Sequence, residues 1–180
     1  MERAEAERRD RVMRVYFDGK DWDRNDEFAL KRDLVRRSHD LLPHHPFLVE
    51  DEWDVVSGHT NHGRGDLVFT DGEGRFAVVE VKYINLTSSG ATARRRRTKC
   101  RRQVHQQAQA YAAVIRDRHD AVGPVLAFAY TNERPDTLVA VVWEAAPADA
   151  EAAPADAVAE ACEVPELALF QLDPLQPAEE

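Results

Sequence analysis

The feature that most constrains the fold of this chain is residues 63–83, GRGDLVFTDGEGRFAVVEVKY, which have the pattern of a β-hairpin. A short apolar run, Leu67-Val68-Phe69, precedes the turn-rich sequence DGEG, and a run dense in β-branched and aromatic residues follows it. Such runs on either side of a glycine-containing turn predict two paired antiparallel strands. We therefore expect a β-sheet that contains this hairpin.

Three charged side chains interrupt the apolar hairpin: Asp66 at the start of the first strand, and Glu80 and Lys82 near the end of the second. Because side chains alternate between the two faces of a strand, Glu80 and Lys82 are expected on the same face. Strand pairing would bring Asp66 opposite the segment from Glu80 to Lys82. Two close carboxylates repel each other unless a cation such as Mg²⁺ lies between them. An ordinary Glu–Lys pair on a surface strand is the alternative interpretation of the triplet alone.

An apolar stripe at helical spacing predicts a second informative element, a helix over about residues 99–118. The stripe consists of Val104, Ala108, Tyr111, Ala112 and Ile115. Gln107 borders the stripe and lies four residues before Tyr111, so these two side chains share a helical face. They are either ordinary packing and surface residues or part of the same site as the charged hairpin residues.

These patterns together resemble the PD-(D/E)xK nuclease superfamily, in its RecB-like and lambda-exonuclease-like branch. The arrangement Gly-x-x-Asp followed by Glu-x-Lys is similar to the metal-binding core of that superfamily, and Gln-x-x-x-Tyr is similar to a motif of the branch. The residues that carry the resemblance are Gly63, Asp66, Glu80, Lys82, Gln107 and Tyr111. The proline of the PD element is absent, because Gly65 precedes Asp66.

The resemblance implies a restriction-endonuclease-like α/β core, in which helices flank a central mixed β-sheet. The residue patterns predict a helix over 25–42 with Asn25 or Asp26 as its N-cap, followed by a strand over 47–56. After the hairpin and the helix over 99–118, two more strands are predicted over 125–130 and 138–143. The expected order is thus αβββαββ.

The resemblance also implies phosphodiester hydrolysis that depends on Mg²⁺ or Mn²⁺. Lys82 would orient the attacking water, and Gln107 and Tyr111 would position the scissile strand. The implied metal ligands are Asp66, Glu80, the Val81 carbonyl and, from the first helix, Glu27. Asp33, Glu50 and Glu52 compete with Glu27 for this role, and an acidic residue in a first helical turn is also favoured by the helix dipole alone.

Seven of the nine residues from 94 to 102, between the hairpin and the apolar stripe of the second helix, are basic. They are Arg94, Arg95, Arg96, Arg97, Lys99, Arg101 and Arg102. Phosphate backbones are the commonest partner of concentrated arginine, so this segment is a candidate nucleic-acid-binding surface. A nuclear localisation signal and a solvated, disordered loop are the other interpretations.

The distribution of charge divides the chain into three parts. The formal net charge is −9, but residues 144–180 contain ten of the 33 acidic residues and no lysine or arginine. Residues 1–143 contain 24 basic and 23 acidic residues, so the net negative charge comes from residues 144–180. This Ala/Pro-rich tail is expected to be mostly disordered. We expect a charged helical extension over residues 1–24, a nuclease-like domain over 25–143 and the tail over 144–180.

The expected function is hydrolysis of nucleic acid by an exonuclease or endonuclease, with DNA favoured as substrate and repair or processing as its setting. The alternative is a catalytically inactive, nuclease-like module that binds nucleic acid or a protein partner, the latter through the tail. No signal segment or membrane-spanning run occurs in the sequence, so we expect an intracellular protein of the nucleus or cytoplasm. Two cysteines, Cys100 and Cys162, cannot supply the four ligands of an iron–sulfur cluster.

Overall fold

The computed structural model describes residues 1–19, 25–56 and 59–141, apart from the side chains of residues 55, 56 and 59–63. In these residues the protein has the predicted α/β class, with three helices and one mixed five-stranded sheet. The helices are α1 (Arg3–Gly19), α2 (Asp26–Leu41) and α3 (Ala91–Arg118). The strands are β1 (Phe47–Val56), β2 (His59–Thr70), β3 (Phe76–Lys82), β4 (Leu126–Thr131) and β5 (Val139–Ala140).

The strands lie in the sheet in the order in which they occur in the chain. Strands β1, β2 and β3 are successively antiparallel, β4 is parallel to β3, and β5 is antiparallel to β4. A parallel pair requires a long crossover connection, and the segment that contains α3 provides it between β3 and β4. The predicted order αβββαββ is therefore found after α1.

The predicted hairpin is confirmed as β2 and β3, which pair from Thr70–Phe76 to Leu67–Val79. Its turn contains Gly72 and Gly74 at φ values of 80° and 92°, a region that side chains with a Cβ rarely adopt. The Asp71 carboxylate accepts hydrogen bonds from two backbone N–H groups of the turn, at 2.7 and 3.1 Å. The turn chemistry thus sets the register of the hairpin.

Alternation along β3 separates two hydrophobic cores. Ala77, Val79 and Val81 lie in one core with apolar residues of α1 and α2. Phe76 and Val78 lie in the other core, mainly with apolar residues of α3. Because helices cover both faces, the sheet is buried between them.

Helix α1 packs along β1, the strand at one edge of the sheet. The Asp10 carboxylate accepts a hydrogen bond from the backbone N–H of Leu48 at 2.8 Å, and Arg14 donates to the backbone carbonyl of Pro46 at 3.0 Å. Covering an edge strand in this way occupies backbone groups that could otherwise pair with another chain. Ala6 and Phe17 are buried, so α1 shares both cores with the rest of the fold.

The basic segment is part of α3, so its interpretation as a disordered loop is wrong. The helix begins at Ala91, not near residue 99 as predicted, because the residues after Gly90 are good helix formers and include no proline. The N-cap of α2 is Asn25, whose side chain accepts from the N–H groups of Glu27 and Phe28. Strand β4 lies one residue later than predicted and β5 is shorter, although residues 142 and 143 lie outside the described residues.

The predicted disordered tail over residues 144–180, which includes Cys162, also lies outside the described residues. Within the described ranges, no helix is both long enough and apolar enough to cross a membrane.

Candidate active site

Asp66 and Glu80 meet where β2 separates from β3. The backbone pairing of these strands ends at Leu67–Val79, one residue short of both carboxylates. Beyond that point the Asp66 carboxylate accepts a hydrogen bond from the Val81 N–H at 2.7 Å, and the Asp66 N–H donates to Glu80 Oε2 at 3.4 Å. Side-chain oxygens thus replace backbone carbonyls as acceptors at the fork between the strands. The predicted convergence of Asp66 and Glu80 is confirmed.

Both carboxylates are poorly accessible to water: the Glu80 residue is 6% exposed and the Asp66 side chain 14%. Burial raises the pKa of Glu80 well above its usual range, and the negative charge of Asp66 adds to the rise. Burial also raises the pKa of Asp66, although the charge of Lys31 and the Val81 N–H oppose the rise. Two acids that disfavour each other's ionisation form a site that would be stabilised by an additional cation.

Helix α2 brings Glu27, the acid that the resemblance implies as a metal ligand, to the end of β3. The Glu27 carboxylate forms an ion pair with Lys82 Nζ at 2.9 Å and accepts a hydrogen bond from the Tyr83 N–H at 3.2 Å. Its negative charge also contributes to the raised pKa values of Asp66 and Glu80. The first turn of α2 is therefore anchored to the end of β3, beside the two acids.

Two of the three competing acids lie in other networks. Asp33 accepts from the Tyr130 hydroxyl at 3.1 Å and forms an ion pair with Arg37. Glu50 forms ion pairs with Arg118 and His119. The third competitor, Glu52, contacts the site indirectly, through a lysine of α2.

That lysine, Lys31, is the main residue of the site that the sequence analysis missed. Its side chain is only 1% exposed, and its Nζ lies 2.8 Å from Asp66 Oδ1 and 3.2 Å from Asp51 Oδ1, with Glu52 as a third contact. Burial alone would lower the pKa of Lys31, but the charges of Asp66 and Asp51 outweigh it and raise the pKa. A signal was available, because Lys31 lies at helical spacing among the buried residues Leu34, Val35 and Ser38.

Helix α3 brings Tyr111 and Gln107 to the other side of the fork. Tyr111 is 4% exposed, and its hydroxyl finds no hydrogen-bond partner among the described residues. Burial raises the pKa of Tyr111 to about 12, and the charge of Glu80 adds to the rise, whereas Gln107 opposes it. Gln103 Oε1, one turn earlier, is likewise buried without a described partner. Gln103, Gln107 and Tyr111 follow one another at four-residue spacing in the sequence, but only Gln107 and Tyr111 were predicted as site residues.

Gly65 explains how Tyr111 fits beside β2. Gly65 pairs with Trp53 across β1 and β2, and a Cβ at Gly65 would lie 2.3 Å from the Trp53 ring. The ring of Trp53 meets the ring of Tyr111 edge to face, with 5.5 Å between their centroids. The absence of a side chain at Gly65 therefore leaves room for the Trp53 indole, which packs against Tyr111.

The basic residues lie on the first turns of α3, before the part of the helix that packs on the sheet. Arg101 forms two hydrogen bonds with Glu133, at 2.6 and 2.7 Å, and Arg97 donates to the Ser88 carbonyl. The other five make no ion pair within the described part of the chain, namely Arg94, Arg95, Arg96, Lys99 and Arg102. These cations surround the N-terminal half of a helix whose dipole is itself positive at that end, so they lack electrostatic compensation.

An open groove of about 370 Å³ lies between α3 and strands β4 and β5. Arg101, His105, Thr131 and Arg134 contribute polar groups to its wall. Thr131 pairs with Lys82 across β3 and β4, so the groove adjoins the strand that carries the candidate lysine. The groove therefore lies beside the basic half of α3 and beside β4, the strand next to β3.

Comparison of the chain with protein-family models, with curated proteins and with solved structures finds no match. Among the described residues, no group of three or more histidine, cysteine, aspartate or glutamate side chains has the geometry to hold a metal ion.

Proposed function

We propose that this protein is a metal-dependent nuclease of the PD-(D/E)xK type, with a restriction-endonuclease-like core. The observation that carries the proposal is the convergence of four elements, β2, β3, α2 and α3, at the fork between β2 and β3. Asp66 and Glu80 meet there from β2 and β3, and Glu27 and Lys82 form an ion pair beside them. From α3 comes the Tyr111 hydroxyl, which has no hydrogen-bond partner among the described residues and lies close enough for the charge of Glu80 to raise its pKa. The residues of this cluster come from separate parts of the sequence.

The architecture supports the proposal. A mixed sheet between helices is what the family resemblance implies, and α3 crosses from β3 to the parallel strand β4. Through this crossover, the helix that carries Gln107 and Tyr111 packs on the strand that carries Glu80 and Lys82. A second motif therefore lies close to the first one in space.

The donor chemistry of the site suits a hard divalent cation. Mg²⁺ is usually held by one or two carboxylates, with waters and substrate phosphate oxygens completing its shell, so it does not require three protein ligands in advance. Asp66, Glu80 and the Val81 carbonyl would hold it, with Glu27 as a further carboxylate whose charge acts on both acids. A bound ion would lower the pKa of an attacking water and stabilise charge on the phosphoryl oxygens.

The other residues have separate roles in the proposed reaction. Lys82, held by Glu27, places a positive charge beside the two acids, where it would orient a water molecule and stabilise developing negative charge. The Tyr111 hydroxyl and Gln107 would donate hydrogen bonds to the scissile strand. Such a bond would satisfy the hydroxyl, which burial otherwise leaves at an energetic cost.

The basic half of α3 would bind the flanking phosphates. Five cations without described ion-pair partners, beside the positive end of the helix dipole, would be stabilised by an anionic polymer. Arg95, Lys99, Gln103, Gln107 and Tyr111 follow one another at four-residue spacing, so they form one slowly turning line along the helix. This line leads from the basic surface to the fork and would guide a strand towards it.

The proposal is tested by incubating the purified full chain with Mg²⁺ or Mn²⁺ and single-stranded, double-stranded or branched DNA. Asp66→Asn and Glu80→Gln should each lower the cleavage rate by about 10²–10³-fold or more, as losses of catalytic electrostatic groups do. Lys82→Ala should lower the rate without lowering DNA affinity to the same extent.

Asp54→Asn is the matched control, because Asp54 lies on β1 and pairs with Arg64 instead of the site lysines. It should cleave at the wild-type rate. Equal cleavage by wild type, Asp66→Asn and Glu80→Gln would show that any activity in the preparation arises elsewhere.

One observation favours a second candidate, a nuclease-like module that binds nucleic acid without cleaving it. Both carboxylate oxygens of Asp66 are already engaged, one by the Val81 N–H and the other by Lys31. A lysine in this position could neutralise Asp66 permanently. Salt-dependent DNA binding without divalent-ion uptake in calorimetry would support this candidate over the enzyme.

A further inference from the structure

Lys31 is the most fully buried cation in the described part of the chain, and it bridges three carboxylates from two strands. Asp51 and Glu52 are neighbours on β1, whereas Asp66 lies on β2. Glu52 has a φ of 51°, which is rare for a residue with a side chain. The strand is therefore distorted where its side chain turns to the lysine.

We propose that Lys31 is an internal counter-ion that holds Asp66 in the ion-free site and moves towards Asp51 and Glu52 when a divalent cation binds. This inference rests on the proposed metal site, and it assigns Lys31 as a positioning residue. The lysine acts through Asp66 and is not required to touch the substrate.

The arrangement suits an exchange of partners. A lysine ammonium has three donors on a flexible four-carbon stem, so a small rotation can move it from one carboxylate to another. Losing the contact with Asp66 would leave Lys31 paired with Asp51 and Glu52, so no buried charge would be left alone. A lysine that was paired only with Asp66 could not release it without becoming an unpaired buried charge.

The same arrangement makes Lys31 a competitor of the divalent ion. Two cations on one carboxylate repel each other, so Lys31 should weaken divalent-ion binding to the wild-type site. Without the lysine, Asp66 would be free for the ion, and the mutual repulsion of three carboxylates would add to its attraction. Removing a purely structural residue would instead leave divalent-ion affinity unchanged or lower it.

The experiment measures Mg²⁺ and Mn²⁺ affinity of the full chain, without DNA, by calorimetry and by the ion-induced shift in thermal unfolding. Lys31→Met should bind the ions about tenfold more tightly than wild type or better, and should gain more thermal stability from them, as a coupling of this kind predicts. Glu80→Gln should abolish both signals in either background.

A second variant keeps the test independent of the folding of Lys31→Met. Glu52 is partly exposed, and Glu52→Gln removes one of the partners to which Lys31 would move, so it should weaken ion binding. Asp54→Asn removes the same charge from the same strand without touching Lys31, and it should weaken binding less. The difference in ion affinity between Glu52→Gln and Asp54→Asn therefore measures the effect that acts through Lys31.

The outcomes separate this inference from the proposed function. If wild type binds the ions through Glu80 but Lys31→Met binds them no more tightly, the counter-ion role is overturned and the metal site stands. If Lys31→Met does not fold with or without ions, equal affinities of Glu52→Gln and Asp54→Asn overturn it. If neither wild type nor any variant binds Mg²⁺ or Mn²⁺, the proposed function fails, and the inference fails with it.

Discussion

Two glutamates on the same sheet, the half-buried Glu50 and the buried Glu80, behave in opposite ways. Burial is the largest influence on both, and by itself it would raise the pKa of each. For Glu50, the hydrogen bond from His119 and the charges of His119, Arg118 and Arg9 outweigh burial and lower the pKa. For Glu80, the charge of Asp66 adds to burial, and the pKa rises well above its usual range.

The difference lies in the balance of charge around each acid. Glu50 is one carboxylate among two arginines and a histidine. The cluster around Glu80 contains five carboxylates and two ammonium groups: Glu27, Asp51, Glu52, Asp66, Glu80, Lys31 and Lys82. A carboxylate that neighbouring cations compensate stabilises the fold, whereas an excess of carboxylates over cations is the expected property of a site that binds a cation.

The largest expected effect is that the same substitution, glutamate to glutamine, changes the free energy of unfolding differently at positions 50 and 80. Glu50→Gln should lower the free energy of unfolding by about 2–3 kcal/mol, because Arg118 and His119 lose a charged hydrogen-bond acceptor. Glu80→Gln should leave stability unchanged or raise it, because it removes a repelled buried charge. Urea unfolding at neutral pH without divalent ions measures both, and equal losses would contradict the distinction.

Trp53 connects the two networks, so disturbing it should affect both. Its ring lies 4.8 Å from the Arg118 guanidinium, and it also packs against Tyr111. Gly65→Ala would push a methyl group into this ring and should cost about 1–2 kcal/mol of stability, besides lowering cleavage. Gly19→Ala is the control, because no atom lies within 4 Å of the added methyl group. Wild-type stability of Gly65→Ala would show that the indole moves freely.

The dependence of the free energy of unfolding on pH should also distinguish the networks around Glu50 and Glu80. The expected contribution of each glutamate is about 1 kcal/mol. The lowered pKa of Glu50 means that its contribution is present above the ordinary value of 4.5 and is lost as the pH falls through the lower folded value. The raised pKa of Glu80 means that the metal-free protein loses stability as the pH rises from 4.5 towards the higher folded value. Glu50→Gln should flatten the acid side of the stability profile, and Glu80→Gln the alkaline side. Thermal unfolding across this range would refute the assignment if each variant flattened the opposite side.

The smallest expected effect concerns the opposite imbalance, the excess of cations on α3. Replacing Arg95 and Lys99 by glutamine should reduce the slope of log affinity for DNA against log salt by about 0.7–0.9 per cation. Arg75→Gln, in the hairpin turn and near Asp71, should leave the slope unchanged. Equal slopes for all three proteins would place the phosphate contacts elsewhere.

The hairpin was predictable because its signals are local. Gly72 and Gly74 permit the turn, and alternation along β3 assigns each side chain to a face. The proximity of Asp66 and Glu80 followed from strand pairing alone. The start of α3 was not predicted correctly, because a run of arginines reads as a solvated segment although each arginine favours a helix.

The residues that surround the hairpin were less accessible to sequence analysis. Glu27 could be selected over Asp33 and Glu50 only by resemblance, because all three are ordinary acids by composition. Lys31 was overlooked because a lysine in a helix is usually exposed, and its burial depends on Asp51, Glu52 and Asp66 lying opposite it. The spacing of Lys31 within its helix indicated its burial, but its three partners could not be identified from either segment alone.

The amino-acid sequence by itself determined the hairpin, the three charged residues that interrupt it, the packed face of α3 and the excess of basic residues before that face. Periodicity and turn chemistry act over a few residues, and these features depend on nothing more distant. Only the tertiary structure decided that the carboxylates outnumber the cations at the fork and that a buried lysine holds Asp66. Those properties arise from desolvation and Coulomb interactions between segments, whose strength depends on where the fold brings them together.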